Sequence, residues 1–122
     1  MTEGDWVIRN RAADLLEQVG WCQGELFRHD SLGEVVGRCA VGALMSAGRD
    51  NPVDYPFRLA VQVARELELV ALSPAIRDDT AAVLETWNDA PERTKEEVVA
   101  ALRGQRRGLP VSSSVEKVVI AA

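Results

Sequence analysis

Ile8, Ala12, Leu15, Leu16 and Val19 recur at i, i+4, i+7, i+8 and i+11, and Ile76, Thr80, Val83, Leu84 and Trp87 repeat the same spacing. A period of 3.6 residues gathers each set on one side of a helix, and a helix with one apolar stripe must bury it against another element. Leu59, Ala60, Val63, Ala64 and Leu67 form another such stripe, and Val98, Ala101 and Leu102 a shorter one. No alternation of strand type precedes residue 110, and no Gly-rich loop follows a strand, which excludes a nucleotide-binding α/β unit. The pattern predicts an all-α fold, a compact bundle of about five helices over residues 1–108. An apolar tail follows over residues 109–122.

Stop and start signals divide the stripes. Thr2 or Asp5 can cap the first helix and Gly20 suits its end. Ser31-Leu32-Gly33-Glu34 has the form of a capping box and predicts a second helix carrying Val35, Val36, Cys39, Ala40, Ala43, Leu44 and Ala47, stopped by Gly48. Gly37 and Gly42 inside that segment cost helix stability of about 1 kcal/mol each relative to Ala. Close packing can offset this, so Cys39-Ala40-Val41-Gly42-Ala43 reads as a small-residue surface receiving another helix or Trp21. Asn51-Pro52 marks a turn, and Pro56 fits only the first turn of the third helix. Ser73-Pro74 opens the fourth helix, Asn88-Asp89-Ala90-Pro91 ends it, and Thr94-Lys95-Glu96-Glu97 is a second capping box opening the fifth.

Charge and cysteine usage narrow the function classes. A net charge of −5 argues against a nucleic-acid partner, because phosphate neutralisation needs clustered Lys and Arg. Arg103, Arg106 and Arg107 form the one basic cluster, and they complement the dipole of a helix that ends there. With only Cys22 and Cys39, no signal-peptide pattern and no apolar run that spans a bilayer, the expectation is a cytoplasmic protein with reduced thiols and no membrane partner. In the tail Val115, Val118, Val119 and Ala122 would share a helical face, while the β-branched content favours an extended strand. Burial of residues 111–122 on a second copy would give a homo-oligomer, while simple fraying is the plainer account.

Three constellations could carry chemistry. Cys22, His29 and Asp30 or Asn88 supply the residue types of a thiol hydrolase, without any local signature. Cys22, His29 and Cys39 could ligate zinc, but spacings of seven and ten residues lack the tight pairs of structural sites, so no metal or cofactor is expected. The third is a binding pocket. Trp21 follows the end of the first stripe and Trp87 completes the fourth; Gln23, Asn88 and Asp89 come directly after them. If these ends meet, aromatic walls and hydrogen-bonding side chains converge, and the candidate site is Trp21, Cys22, Gln23, Cys39, Trp87, Asn88 and Asp89. The competing reading is packing and turn formation, with Asp89 accepting a bond from Arg93.

The run Ala12-Ala13-Asp14-Leu15-Leu16 leading to Gly20-Trp21-Cys22-Gln23-Gly24, then Cys39-Ala40-Val41-Gly42-Ala43-Leu44, then Trp87-Asn88-Asp89 with Arg93-Thr94 and Glu97-Val98, resembles a family of small actinobacterial and actinobacteriophage proteins of unknown function. The resemblance covers roughly residues 8 to 103. It implies a compact helical cytoplasmic protein and supplies no activity, substrate or cofactor. His29 and the tail after Gly108 lie outside the matching segments. The leading expectation is therefore a non-enzymatic accessory protein that binds a protein or small ligand; the competing one is a thiol enzyme using Cys22.

Overall fold

The computed structural model describes residues 1–69 and 80–105. Its elements are α1 (Glu3–Gln18), β1 (Phe27–His29), β2 (Val35–Arg38), α2 (Ala40–Ala47), α3 (Tyr55–Glu66), α4 (Thr80–Asn88) and α5 (Lys95–Leu102). Thr2 and Thr94 each close a full capping box, with Asp5 and Glu97 as the reciprocal partners. The Thr94 signal therefore worked as read, and at the start of the chain Thr2 is the cap while Asp5 is its partner.

Helix α1 lies against α2 and α5, and α3 lies against α2 and α4. Alanines at the contacts, Ala12 and Ala13 of α1, Ala40 and Ala43 of α2, and Ala60 and Ala64 of α3, are all buried and let the backbones come close. Leu16, Leu44, Leu59, Leu84, Val98 and Leu102 fill the space between them. In α1, α3 and α5 each stripe member expected inward is buried apart from two. In α4 Leu84 and Trp87 are buried and Val83 half-buried, while Ile76 lies outside the described residues. Leu15 is half-buried and Val19 is exposed, because α1 ends at Gln18 and the stripe outruns its partner helices.

The purely all-α expectation is corrected by a two-stranded antiparallel sheet. Residues 31–34 open no helix; they turn the chain between β1 and β2. Asp30, not Ser31, is the organising residue. Its Oδ1 accepts the backbone N–H groups of Leu32 at 2.8 Å and Glu34 at 3.0 Å, while its own N–H donates to the Glu34 carbonyl. An aspartate bonding forward along its own backbone competes with helix initiation and wins here. Phe27 pairs with Arg38, Arg28 with Gly37 and His29 with Val35, so Val36 is the extra residue of a bulge.

Helix α2 consequently starts eight residues later than the Ser31 box suggested, at Ala40. Cys39 becomes its N-cap, with its Sγ accepting from the Gly42 N–H at 3.4 Å. Gly37 is a strand residue and carries no helix cost. Gly42 does serve close approach, but what reaches it is the Leu26 backbone: a Cβ there would collide with the Leu26 carbonyl oxygen. Gly20 has the same role opposite Val36, with φ at 154° and a Cβ position blocked by the Val36 carbonyl. The hairpin and the turn before it are thus pressed against α2 by missing side chains.

The expected start of the fourth helix at Ser73-Pro74, Arg106 and Arg107, and the tail 109–122 with its proposed interface at 111–122 lie outside the described residues.

Candidate functional site

The end of α4 delivers Asn88 into the centre of the candidate region. Its side chain is fully buried and all its hydrogen-bonding capacity is used. Oδ1 accepts from the Trp21 indole N–H at 2.8 Å and from the Ala40 backbone N–H at 3.0 Å. Nδ2 donates to the Cys22 carbonyl at 3.1 Å and to Asp89 Oδ1 at 3.0 Å. An amide has two donors and two acceptor sites, and here every one is taken by the protein itself. One side chain thereby ties the 20–24 turn, the start of α2 and the end of α4.

Gln23 and Asp89 reinforce the same joint. Gln23 Nε2 donates to the carbonyls of Asn88 at 3.0 Å and Ala90 at 2.9 Å, and Asp89 Oδ1 also accepts the Gly24 N–H at 3.0 Å. The expected Asp89 to Arg93 bond is replaced by another arrangement. Arg93 donates through Nε to the Trp87 carbonyl at 2.9 Å and through Nη1 to Glu97 at 3.2 Å, with its guanidinium 4.1 Å from the centre of the Trp87 ring. That cation–π stack closes the α4–α5 turn. Trp21, Cys22, Gln23, Asn88 and Asp89 therefore meet, with Cys39 beside them, while Trp87 belongs to the core and to Arg93.

Both thiols are free and buried. Desolvation pushes the Cys22 thiol above its ordinary value against the opposing pull of Arg28, and its Sγ donates to the Glu25 carbonyl at 3.4 Å. Desolvation raises Cys39 further, to about 11. A nucleophilic cysteine needs the reverse, a stabilised thiolate with access to solvent. His29, exposed on β1, makes no bond to either. Among the described residues no three or more His, Cys, Asp or Glu side chains are placed to hold a metal ion.

Beside this knot lies a cleft of about 220 Å³ lined by Gly24, Glu25, Leu26, Cys39, Glu85 and Asp89. Only Cys39 and Asp89 of the candidate residues reach it. Glu25, Leu26 and Glu85 were missed by sequence reasoning. Glu85 carried a usable signal, since it sits one helical turn before Asp89 and so shares its face. Leu26 had none, because its place depends on the backbone contact with Gly42.

No helix among the described residues is long and apolar enough to cross a membrane. No curated protein and no solved structure matches the sequence. A family model does match, over residues 7–105, a span that runs from within α1 to beyond α5 and holds the whole Asn88 knot. The chain belongs to that family, the family of unknown function DUF6197.

Proposed function

We propose that the protein acts by binding rather than by catalysis, as an accessory protein of an actinobacterium or its phage, and that the cleft beside Asn88 takes a cationic side chain of a partner protein. The observation carrying this reading is the lining of the cleft: Glu25, Glu85 and Asp89 surround a short apolar floor of Gly24 and Leu26. A lysine or arginine side chain has the matching form, an apolar stem with a positive head. The Cys39 thiol adds no charge at neutral pH, since it titrates at about 11. Catalysis at Cys22 is disfavoured by the burial of its sulfur and by the shift of its thiol away from thiolate.

Rigidity supports the same reading. The walls at Gly24 and Asp89 are fixed by the bond between them and by Asn88 behind, so a ligand would meet a pre-formed surface. Titrating a hexalysine peptide into the ¹⁵N-labelled chain tests it. The amide signals of Gly24, Leu26 and Asp89 should shift together and saturate. Glu85→Gln should weaken binding by about two- to fivefold, the worth of one exposed ion pair. Shifts scattered over the surface, or an undiminished affinity in E85Q, would refute the cleft as the contact.

A further inference from the structure

A second groove, independent of the acidic cleft, lies between α1 and α2 and has the opposite character. It encloses about 480 Å³, and its lining includes Arg11, Asp14, Arg38, Ser46, Arg49 and Asp50. Three guanidinium groups on one groove stand out in a chain of net charge −5. Asp14 is already engaged, with its Oδ1 2.7 Å from Arg103. Arg11 and Arg49 are exposed, and no carboxylate among the described residues pairs with either or with Arg38.

Arg38 is the decisive member. It ends β2, where its backbone N–H donates to the Gly20 carbonyl and its carbonyl accepts the Cys22 N–H, so its Cα is fixed. Its Nε donates to Ser46 Oγ at 2.8 Å. That bond sets the plane of the guanidinium, and Nη1 is left buried without an acceptor. A buried N–H of a cation without a partner is costly, and native proteins rarely leave one. With Nε on Ser46 and Nη1 buried, Nη2 is the donor left for a ligand in the groove, and the cation makes any bond it forms charge-assisted.

We propose that this groove binds the phosphoryl group of a small phosphate ester, held by Arg38 Nη2 with Arg11 and Arg49 at the rim. Charge selects an anion: three arginines face Asp50 and an Asp14 that shares Arg103 with Glu17, so the groove keeps a net positive charge. The volume selects an ester over the bare ion, since the groove has room for the organic part beside Gln18 and Ala47. Ser46 supplies the positioning contact by holding Arg38 Nε, and it leaves Nη2 for the ligand.

The experiment is a titration of the full chain, ¹⁵N-labelled, with inorganic phosphate and with glycerol 3-phosphate, against sodium chloride at matched ionic strength. The Arg38 Nε–H signal and the amides of Ser46 and Arg49 should move saturably with both phosphates and not with chloride. Arg38→Gln should lower the affinity about tenfold, as expected when a charge-assisted contact is lost. A double variant of the exposed rim, Arg11→Gln with Arg49→Gln, should lower it about three- to tenfold and settles the matter if R38Q does not fold. Tighter binding of the ester than of the ion identifies the groove as an ester site. Chloride reproducing the shifts, or undiminished phosphate affinity in R38Q or in the double variant, would overturn the proposal.

Discussion

Arg9 and Arg38 both bury guanidinium nitrogens, all of them in Arg9 and Nη1 in the half-buried Arg38, and the fold treats them oppositely. Arg9 on α1 has a side chain with no exposure at all. Its Nε donates to the Leu102 carbonyl at 2.8 Å, and Nη1 and Nη2 each meet a Glu66 oxygen at 2.7 Å. The remaining donors reach the Ala101 carbonyl and the Met1 sulfur, and the Trp6 ring lies 4.4 Å from the guanidinium carbon. Five N–H groups therefore have five acceptors. Arg38 has one bond, to Ser46, and a buried Nη1 with none. A charge buried for the fold is closed by the protein; one left open points outward, to a ligand.

The comparison breaks most readily at Arg9. Replacing it with Met keeps much of its bulk but leaves the Glu66 carboxylate and the carbonyls of Ala101 and Leu102 without their shared donor. Removing one partner of a fully buried pair costs about 3–5 kcal/mol, and with Glu66 28% exposed Arg9→Met should show a loss near the lower end of that range in urea unfolding. A loss under about 1 kcal/mol would mean that the α1–α3–α5 joint rests on apolar packing alone.

Asn88 is the uncharged counterpart of Arg9, equally closed. Asn88→Ala leaves the Trp21 and Ala40 N–H groups without their acceptor, and each orphaned buried donor costs about 1–3 kcal/mol. Trp21 is only half-buried, so the expected sum is about 2–4 kcal/mol, measured as a lower urea midpoint at unchanged m-value. If the variant instead unfolds at the same midpoint, the amide is not what joins the 20–24 turn to α4, and the pre-formed wall of the acidic cleft loses its basis.

These closed joints explain what could be read in advance. Stripes and caps are local, so α1, α3, the end of α4 and the Thr94 box were legible from spacing. The convergence of Trp21, Gln23, Asn88 and Asp89 was anticipated from polar residues following helix ends. Arg9 was not, because its acceptors lie on α3 and at the end of α5, and no local pattern separates a buried arginine from a solvated one. The hairpin failed for a different reason. Ser31 and Glu34 fit a capping box, but strands of three and four residues are too short for alternation, and the Asp30 turn took the backbone groups that the box would have used. Gly37 inside a proposed helix was the one warning.

A smaller test concerns Tyr55 and Asp5, a closed pair at the other end of α1. The Tyr55 hydroxyl donates to Asp5 Oδ1 at 2.6 Å. That bond is the largest cause holding Asp5 below its ordinary value of 3.8, while burial and then the bond to Asp5 push Tyr55 up to about 12. The Asp5 contribution to stability is present above pH 3.8 and fades as pH falls through its lower folded value. The Tyr55 contribution is present below pH 10 and is lost as pH rises through about 12. Tyr55→Phe should cost about 1.5–3 kcal/mol at neutral pH, the range for a bond to a charged group. It should also abolish the alkaline loss and shrink the acid one. An unchanged alkaline profile would assign that loss to another group.

The smallest expected effect is the sharpest. Arg38→Met removes a guanidinium whose buried Nη1 has no acceptor, so little stabilisation is lost and the penalty of an unpaired donor disappears. Without phosphate, the urea midpoint should stay within about 0.5 kcal/mol of the parent or rise slightly. With glycerol 3-phosphate, only the parent should gain stability, because ligand that binds the folded state alone adds to it in proportion to its saturation. The two variants Arg9→Met and Arg38→Met then make the same chemical change with opposite consequences. Equal losses in both would mean that the fold depends on Arg38 no less than on Arg9. The groove would then have no cation to spare for an anion, whatever the rim arginines do.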